Sequence, residues 1–546
     1  MRSITLHQAI HGYRGGHRLL GASRTFPQTA ARTLLYMSDM SGSTMVPGFD
    51  EYITGYPVPE LGLYAIAKTC YAPEMERPGC VWTHSLFVAI EDLHLLTGVD
   101  NLIGLFRRPG HQSAPIDAPL SFSLDASPPP PASYQAPLAE NVLRALYSSP
   151  TRAVVIAARS SWEHQDLVLD LWSQQWSSLR AAFSFCTGSL APRELYGAPF
   201  DLQVAPRASL SKFRRRGQSI AVVELTSEDM AEPWVTTATH GLAPGSHFRD
   251  FLQRYASEAG PDRELYRPLA DVFYLMQIDP LPTEAAMRLV ERVAEAFPER
   301  NMGTQLKRDA LGRSNRGAHT EQSLFIALGT TPSWQAYDPL ALGVSERAES
   351  LWRYASNLAA DSVIQIQQRG PNPLGTAMLR GVARALAPED AIALSHAHSG
   401  LLSELVEFNA SLALSSHVWS RLRGERSALF QRVARDLRNS GISNAVPHLV
   451  RACVLASADD VVEAARKCLP IQELVPAVLD AANQVPEPIS HRWRSLVGED
   501  PTAALRWLAE VGVAATPTAR EIVFAVLDPS LAGVARISGT QWVQIL

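Results

Sequence analysis

Ile4-Thr5-Leu6-His7-Gln8-Ala9-Ile10-His11-Gly12-Tyr13-Arg14-Gly15-Gly16-His17-Arg18-Leu19-Leu20 is the stretch from which the fold class follows. Ile4, Leu6 and Ile10 fall on one face at a period of two, with Gln8 between them, the alternation of a half-buried strand. Gly12, Gly15 and Gly16 then interrupt it, and His17 to Leu20 returns as a hairpin partner. From Thr29 to Met40 the period changes, with Ala31, Leu34, Leu35 and Met37 at helical spacing. Val81 to Ile90 (VWTHSLFVAI) is rich in β-branched and aromatic residues and predicts a central strand, with a short helix from Glu91 to Leu96. Mixed strands and helices at this end point to an α+β protein.

The clearest boundary is compositional. Pro115, Pro119, the run Pro128-Pro129-Pro130-Pro131 and Pro137 crowd one segment, and consecutive prolines lack N–H donors and have φ fixed. They predict a linker over 114–137, separating an N-terminal α+β module (1–113) from a middle α/β module (138–245). In the middle module Leu138 to Tyr147 reads as a helix and Arg152 to Ala158 as a buried strand. Asp166 to Phe183 reads as one helix, and Trp162, Trp172 and Trp176, which together would suit a recognition surface, fit helical core spacing better. Short strands are expected at Ser184–Thr187 and Phe200–Val204, and an edge strand from Gln218 to Leu225. After His247 strand signals vanish, so 246–546 reads as a large all-helical region. Thr283 begins one helix with Ala286, Leu289, Val290, Val293 and Phe297 on its apolar face. Asp500-Pro501 forms an N-cap with proline in the first turn, and Gly512 closes that helix. No fixed repeat length recurs, which predicts an irregular helical array rather than a solenoid.

The net charge of −5 supplies no global field for nucleic acid or an anionic membrane. Cys70, Cys80, Cys186, Cys453 and Cys468 are odd in number and widely spaced, without the short spacings of zinc or redox motifs. Reduced thiols, an N-terminus without a signal-peptide pattern and the absence of a long apolar run lead to the expectation of a cytoplasmic protein without a membrane span.

Phosphate, zinc and dinucleotide motifs are missing. None of the four lysines, Lys68, Lys212, Lys307 and Lys467, sits in a phosphate-binding Gly-x-x-x-x-Gly-Lys-Ser/Thr loop. Nor is there a His-Glu-x-x-His, Gly-x-Ser-x-Gly or Gly-x-Gly-x-x-Gly sequence. No cofactor or metal is expected. The N-terminal module does concentrate His7, His11, Tyr13, His17 and His84. Facing each other on a hairpin, His7 and His17 would share a metal or pass a proton. Against this, no carboxylate accompanies them as a third ligand, and imidazoles beside glycines commonly satisfy turn carbonyls. His7, Tyr13, His17 and His84 are the candidates for catalysis; Gln8, Gly12, Gly16, Trp82 and Thr83 are expected to be architectural. Lys212-Phe213-Arg214-Arg215-Arg216 is a compact basic run, expected as a solvated loop, in which Lys212, Arg214, Arg215 and Arg216 are the candidates for anion binding.

The segment His7 to Leu20 resembles the opening of the GTPase-associated protein 1 family. Ser38-Asp39-Met40-Ser41-Gly42, Tyr52-Ile53-Thr54-Gly55-Tyr56-Pro57, Tyr71-Ala72-Pro73-Glu74-Met75 and Arg77-Pro78-Gly79-Cys80-Val81-Trp82-Thr83-His84-Ser85-Leu86 extend the resemblance. A weaker match follows at Phe183-Ser184-Phe185-Cys186-Thr187-Gly188-Ser189-Leu190 and Pro199-Phe200-Asp201-Leu202. The resemblance implies an N-terminal, middle and C-terminal arrangement and a partner GTPase in bacterial conflict systems such as defence against phage. It transfers no catalytic residue. The expected function is a non-enzymatic adaptor or regulator that binds a GTPase, with the helical region as docking platform. Two alternatives stay open: an effector hydrolase or transferase using the His/Tyr cluster, and a nucleic-acid sensor using residues 212–216. Oligomeric state, trigger and output stay open.

Overall fold

The computed structural model describes residues 3–527 apart from 43, 76–78, 97–99, 109–115, 125–134, 217–218, 224–231, 313–316, 397, 399, 440 and 442–444. The proline run 128–131 and part of the Arg77–Leu86 motif lie outside the described residues. Two compact units emerge: one of 1–279, 288–311 and 335–337, the other of 280–287, 312–334 and 338–546.

The alternating opening segment forms β1 (Ser3–Tyr13), antiparallel to β2 (His17–Ala22). Gly15 and Gly16 make the turn with φ of +64° and +137°, backbone that a Cβ disfavours. Helix α1 (Gln28–Met37) buries Ala30, Leu34 and Met37. Strands β3 (Glu51–Val58), β4 (Leu63–Tyr71) and β5 (Val81–Ala89) complete an antiparallel set in the order β3-β4-β5-β1-β2. Within the expected linker a four-residue strand, β6 (Leu120–Ser123), pairs with the start of β1.

Downstream, helix α2 (Ala136–Ser148) precedes β7 (Ala153–Ala158). The single helix expected over 166–183 is two, α3 (Gln165–Gln174) and α4 (Ser177–Ala182). The break is held from inside: Arg180, fully buried, donates to the carbonyls of Ser173 (2.5 Å) and Gln175 (2.9 Å). Its other terminal nitrogen reaches the Leu93 and Leu96 carbonyls at 2.8 and 2.6 Å, and its guanidinium lies over the Trp172 ring at 5.2 Å. Strands β8 (Phe185–Cys186), the small ribbon β9 (Glu194–Leu195) and β10 (Ala198–Pro199), then β11 (Leu202–Pro206) follow. The basic run, expected as a loop, is a short helix, α5 (Leu210–Arg214), leading to β12 (Ile220–Val223).

Strands β12-β7-β11-β8 are parallel, joined by crossover connections as parallel pairing requires, helical except between β8 and β11, where the β9–β10 ribbon intervenes. They join the antiparallel set through β8 and β3, where Thr54 opposes Cys186 and Gly55 opposes Phe185. The segments expected as N-terminal and middle modules therefore contribute to one ten-stranded mixed sheet. Close approach at this seam needs glycine. A Cβ on Gly55 would lie 2.2 Å from the Phe185 ring, and one on Gly188 would lie 2.5 Å from Tyr52. Thr187 and Ile53 extend the seam, the Thr187 N–H donating to the Ile53 carbonyl (2.8 Å) and the Ile53 N–H to Thr187 Oγ1 (2.9 Å).

After β12 the described residues contain helices and no strand, giving an α+β protein with an N-terminal mixed sheet and a large helical C-terminal region. In the helix Thr283–Ala296, Ala286, Leu289, Val290 and Val293 are buried as the apolar stripe requires. Asp500 caps Pro501–Val511 by accepting from the Ala503 N–H at 2.9 Å, and Gly512 ends it at φ +56°. In the helical unit, Gly381 lets Pro373–Ala385 approach Val344–Tyr354, since a Cβ there would meet the Ser345 carbonyl oxygen. No described helix is long and apolar enough to cross a membrane.

Gly55→Ala should lower stability by about 1–3 kcal/mol, the range for forcing volume into a packed site. Adding Phe185→Leu should recover part of that loss. Thermal or urea melts of the two variants check this, and a Gly55→Ala protein as stable as the wild type would remove the seam's steric requirement.

Candidate functional site

The register of β1 decides which of the candidate side chains meet. His17 stands opposite Tyr13, whereas His7 lies six residues further along β1, roughly 20 Å at the rise of a strand. His7 and His17 therefore do not face each other. Alternation separates a second pair: His84 is opposite Ile10 and shares the Gln8 face, while His7 and His11 project from the other face.

On the Gln8 face every polar atom of His84 is used. The Arg107 N–H donates to His84 Nδ1 at 3.0 Å, so the ring proton is on Nε2, which donates to Gln8 Oε1 at 3.1 Å. Gln8 Nε2 in turn donates to the Ala118 carbonyl at 2.7 Å. Burial, helped by the Arg107 charge, brings the His84 pKa down to about 4. His84 is a neutral strut between β5, β1 and the segment before β6. Trp82 donates Nε1 to Glu74 Oε1 at 3.1 Å, and its ring covers Gly12 so closely that a Cβ there would sit 2.2 Å away. Thr83, fully buried, donates to the Ser38 carbonyl at 2.6 Å and thereby fastens β5 to the end of α1.

On the opposite face His7 has Nδ1 3.3 Å from Ser23 Oγ, and burial with the nearby Arg24 lowers its pKa. His11 is buried, its Nδ1 has no hydrogen-bond partner, and its ring stacks on His17 with centroids 6.4 Å apart. Burial, with the His17 charge, brings the His11 pKa down to about 4. The Ser38 hydroxyl donates to the Leu35 carbonyl at 2.8 Å, so its oxygen accepts from His17 Nε2 at 2.8 Å. His17 thus ties β2 to the C-terminal end of α1. Its pKa is lowered by burial, against the opposing pull of Asp39. Tyr13 ends β1 half-buried, and Gly16 serves the turn. Of the four catalytic candidates only His17 lines the cavity beside α1, a concavity of about 560 Å³.

Asp39, Tyr36 and Arg32 of the N-terminal segment share that cavity with Arg193, which is buried. Arg193 Nη2 donates to the Met37 and Asp39 carbonyls. Ser41 closes the floor by donating to the Gly188 carbonyl at 2.5 Å and accepting from the Leu190 N–H at 3.2 Å. The sequence reading passed over these residues. Ser38 to Gly42 stood out only as part of a resemblance, and a lone arginine at 193 carries no local signal.

The basic run is partly committed. Lys212 Nζ donates to the Leu190 carbonyl at 3.3 Å, Arg216 pairs with Glu194 at 2.9 Å, and Phe213 is buried, offering no ring for stacking. Arg214 is also engaged within the protein, and the Arg215 N–H donates to the Ser211 carbonyl. Among the described residues no three His, Cys, Asp or Glu side chains gather to hold a metal.

The site thus belongs to a sheet-borne module whose polar side chains are largely spent on its own architecture. Residues 5–106 match the family described as GTPase-associated protein 1, N-terminal domain type 1. The chain matches no curated protein and no solved structure.

Both low-pKa histidines make stability depend on pH. Between pH 6.5 and about 4 the unfolded chain binds protons that His11 and His84 in the fold refuse, so stability falls as pH is lowered through that window. The loss should reach up to about 3 kcal/mol per histidine. His11→Phe removes an unpaired buried nitrogen, so it should keep stability at pH 8 and flatten the fall. Urea melts at pH 8, 6 and 4.5 provide the check; an unchanged slope in the variant would contradict it.

Proposed function

We propose that this chain is a non-enzymatic, cytoplasmic adaptor or regulator that binds a partner GTPase in a bacterial conflict system, most simply defence against phage. The family of residues 5–106 is GTPase-associated by description, which supports the partner class. The observation that carries the non-enzymatic part is the use made of the candidate histidines. His84 has both ring nitrogens in structural hydrogen bonds, His7 lies far along the strand from His17, and His17 anchors a hairpin through Ser38. A general acid–base pair needs its members within hydrogen-bond reach of one substrate. The four candidates His7, Tyr13, His17 and His84, divided between two faces of a sheet, do not supply that.

In this reading the GTPase supplies nucleotide turnover and the present chain supplies recognition. The tagged chain, co-expressed with GTPases encoded beside it, should retain one of them through size exclusion. Purified alone it should turn over neither GTP nor ATP. His17→Ala discriminates adaptor from enzyme, because it leaves Ser38 without its donor and should cost about 1 kcal/mol of stability or weaken capture. If that variant instead keeps its melting temperature and its partner yet loses cellular activity, the enzyme reading replaces the adaptor.

A further inference from the structure

The outer face of α1 is left to solvent, and large apolar side chains gather round it. Helical spacing sets Arg32, Leu35 and Tyr36 on one stripe, where Leu35 is exposed and Tyr36 is 63% exposed. Leu19 of β2, also exposed, stands beside them. It shares a strand face with His17, and His17 reaches Ser38 at the end of α1. Leu35, Tyr36 and Met40 line the concavity of about 560 Å³ that opens next to this stripe.

Tyr196 joins the same face from a distant part of the chain. It opens the two-residue turn between β9 and β10, where Leu195 pairs with Ala198. Tyr196 and Gly197 have φ of +51° and +83°, a turn that ordinarily takes asparagine, aspartate or glycine first. A bulky residue in that conformation strains the backbone, and Tyr196 recovers little by burial, being 58% exposed. What the turn does achieve is to hold the ring against α1. The Tyr196 hydroxyl donates to Glu60 Oε2 at 2.9 Å and meets the side chain of Thr33, one helical turn from Tyr36.

The surface is also positive, in a chain whose net charge is −5. Arg14 and Arg18 flank His17 on the hairpin, and Arg32 lies on α1. All three are exposed, and none has an ion pair or a side-chain hydrogen bond among the described residues. Against them stands the Asp39 carboxylate, while Glu60 already accepts from Tyr196. Tyrosine, arginine and methionine are enriched where proteins meet, and tyrosine and arginine carry much of the binding energy there. An apolar and aromatic centre rimmed by cations is complementary to an apolar protrusion rimmed by carboxylates.

We infer that the outer face of α1, with Leu19 and Tyr196 beside it, docks a partner protein through an acidic, apolar-centred patch on that partner. The inference rests on the adaptor reading, whose GTPase it provides with a docking face. It puts recognition on the sheet-bearing unit instead of the helical region.

Capture of the GTPases encoded beside the full chain, followed by size exclusion and by titration of the purified pair, tests it. Tyr36→Ala and Arg32→Glu should each weaken capture at least about tenfold, as loss of a central contact does. Arg32→Lys keeps the cation and should keep most of the affinity, and added salt should weaken the wild-type complex. Tyr196→Asn should weaken capture while its melting temperature holds or rises, because asparagine suits a positive φ. Leu340→Ala, which trims a side chain 86% exposed in the helical unit, should change nothing. Tyr36 and Arg32 are exposed, so melting temperatures equal to the wild type will separate lost docking from lost folding. Wild-type capture that Tyr36→Ala, Arg32→Glu and Tyr196→Asn all leave intact overturns the inference and spares the adaptor reading. It falls equally if these variants leave capture intact but abolish binding of duplex DNA, or split a homodimer, since the face then serves nucleic acid or a second copy. If the wild type captures no GTPase, the adaptor reading falls and this inference falls with it.

Discussion

Two antiparallel residue pairs, Thr54 with Cys186 and Gly55 with Phe185, hold the two halves of the sheet together. On one side strands run parallel through crossovers; on the other they form hairpins and a meander. Such a short contact succeeds because neighbouring groups extend it. Thr187 exchanges two hydrogen bonds with Ile53, the Tyr64 hydroxyl donates to the Phe183 carbonyl at 2.8 Å, and Gly55 and Gly188 allow aromatic rings to lie against bare backbone. The matched family region ends at residue 106, but its β3 edge is covered by strands that come after it. The N-terminal domain therefore completes its sheet with chain from outside the family match, and an exposed β3 edge is avoided.

Arg180 adds a second tie across the same division. A buried guanidinium is expensive unless its donors are satisfied, and burial together with the Arg249 charge brings its pKa down to about 9. Four carbonyl contacts compensate: two lie at the α3–α4 break and two follow β5. The arginine thus couples the position of a helix break to the end of an N-terminal strand. Polar side chains are spent on architecture here, as with His84, Gln8 and Thr83. A density of histidines in sequence is a poor sign of a catalytic centre when strand alternation sends them to opposite faces.

How much was legible follows from the same physics. Strands β1, β5 and β7 announced themselves by alternation or by β-branched runs, and α1 and the Asp500-capped helix by period and cap. Strands β3 and β4 did not. Leu63–Tyr71 is almost wholly buried, so no polar face marks a period of two. Strand β3 contains Gly55 and Pro57, which argue against a strand when read locally. Gly55 is required by Phe185, more than a hundred residues away, and Pro57 is tolerated because β8 pairs only with Thr54 and Gly55. The α3–α4 break was hidden likewise, because Arg180 stabilises it through tertiary hydrogen bonds. Proline content located a boundary in composition, yet β6 within that span pairs with β1.

The cavity beside α1 is a product of the seam rather than of either half. Its N-terminal wall comes from α1 and the residues after it; Arg193 comes from the chain beyond β8. Ser41 bonds to Gly188 and Leu190, the Ala191 N–H donates to the Ser41 carbonyl, and Arg193 reaches back to the Met37 carbonyl. Loss of the β3–β8 pairing would separate Arg193 from Asp39 and dissolve the concavity. By linkage, anything that binds across both walls favours the joined sheet over the parted one by its own binding free energy. The site that the sequence could not display is therefore also the place from which occupancy would act on the fold, because its two walls become neighbours only when the sheet closes.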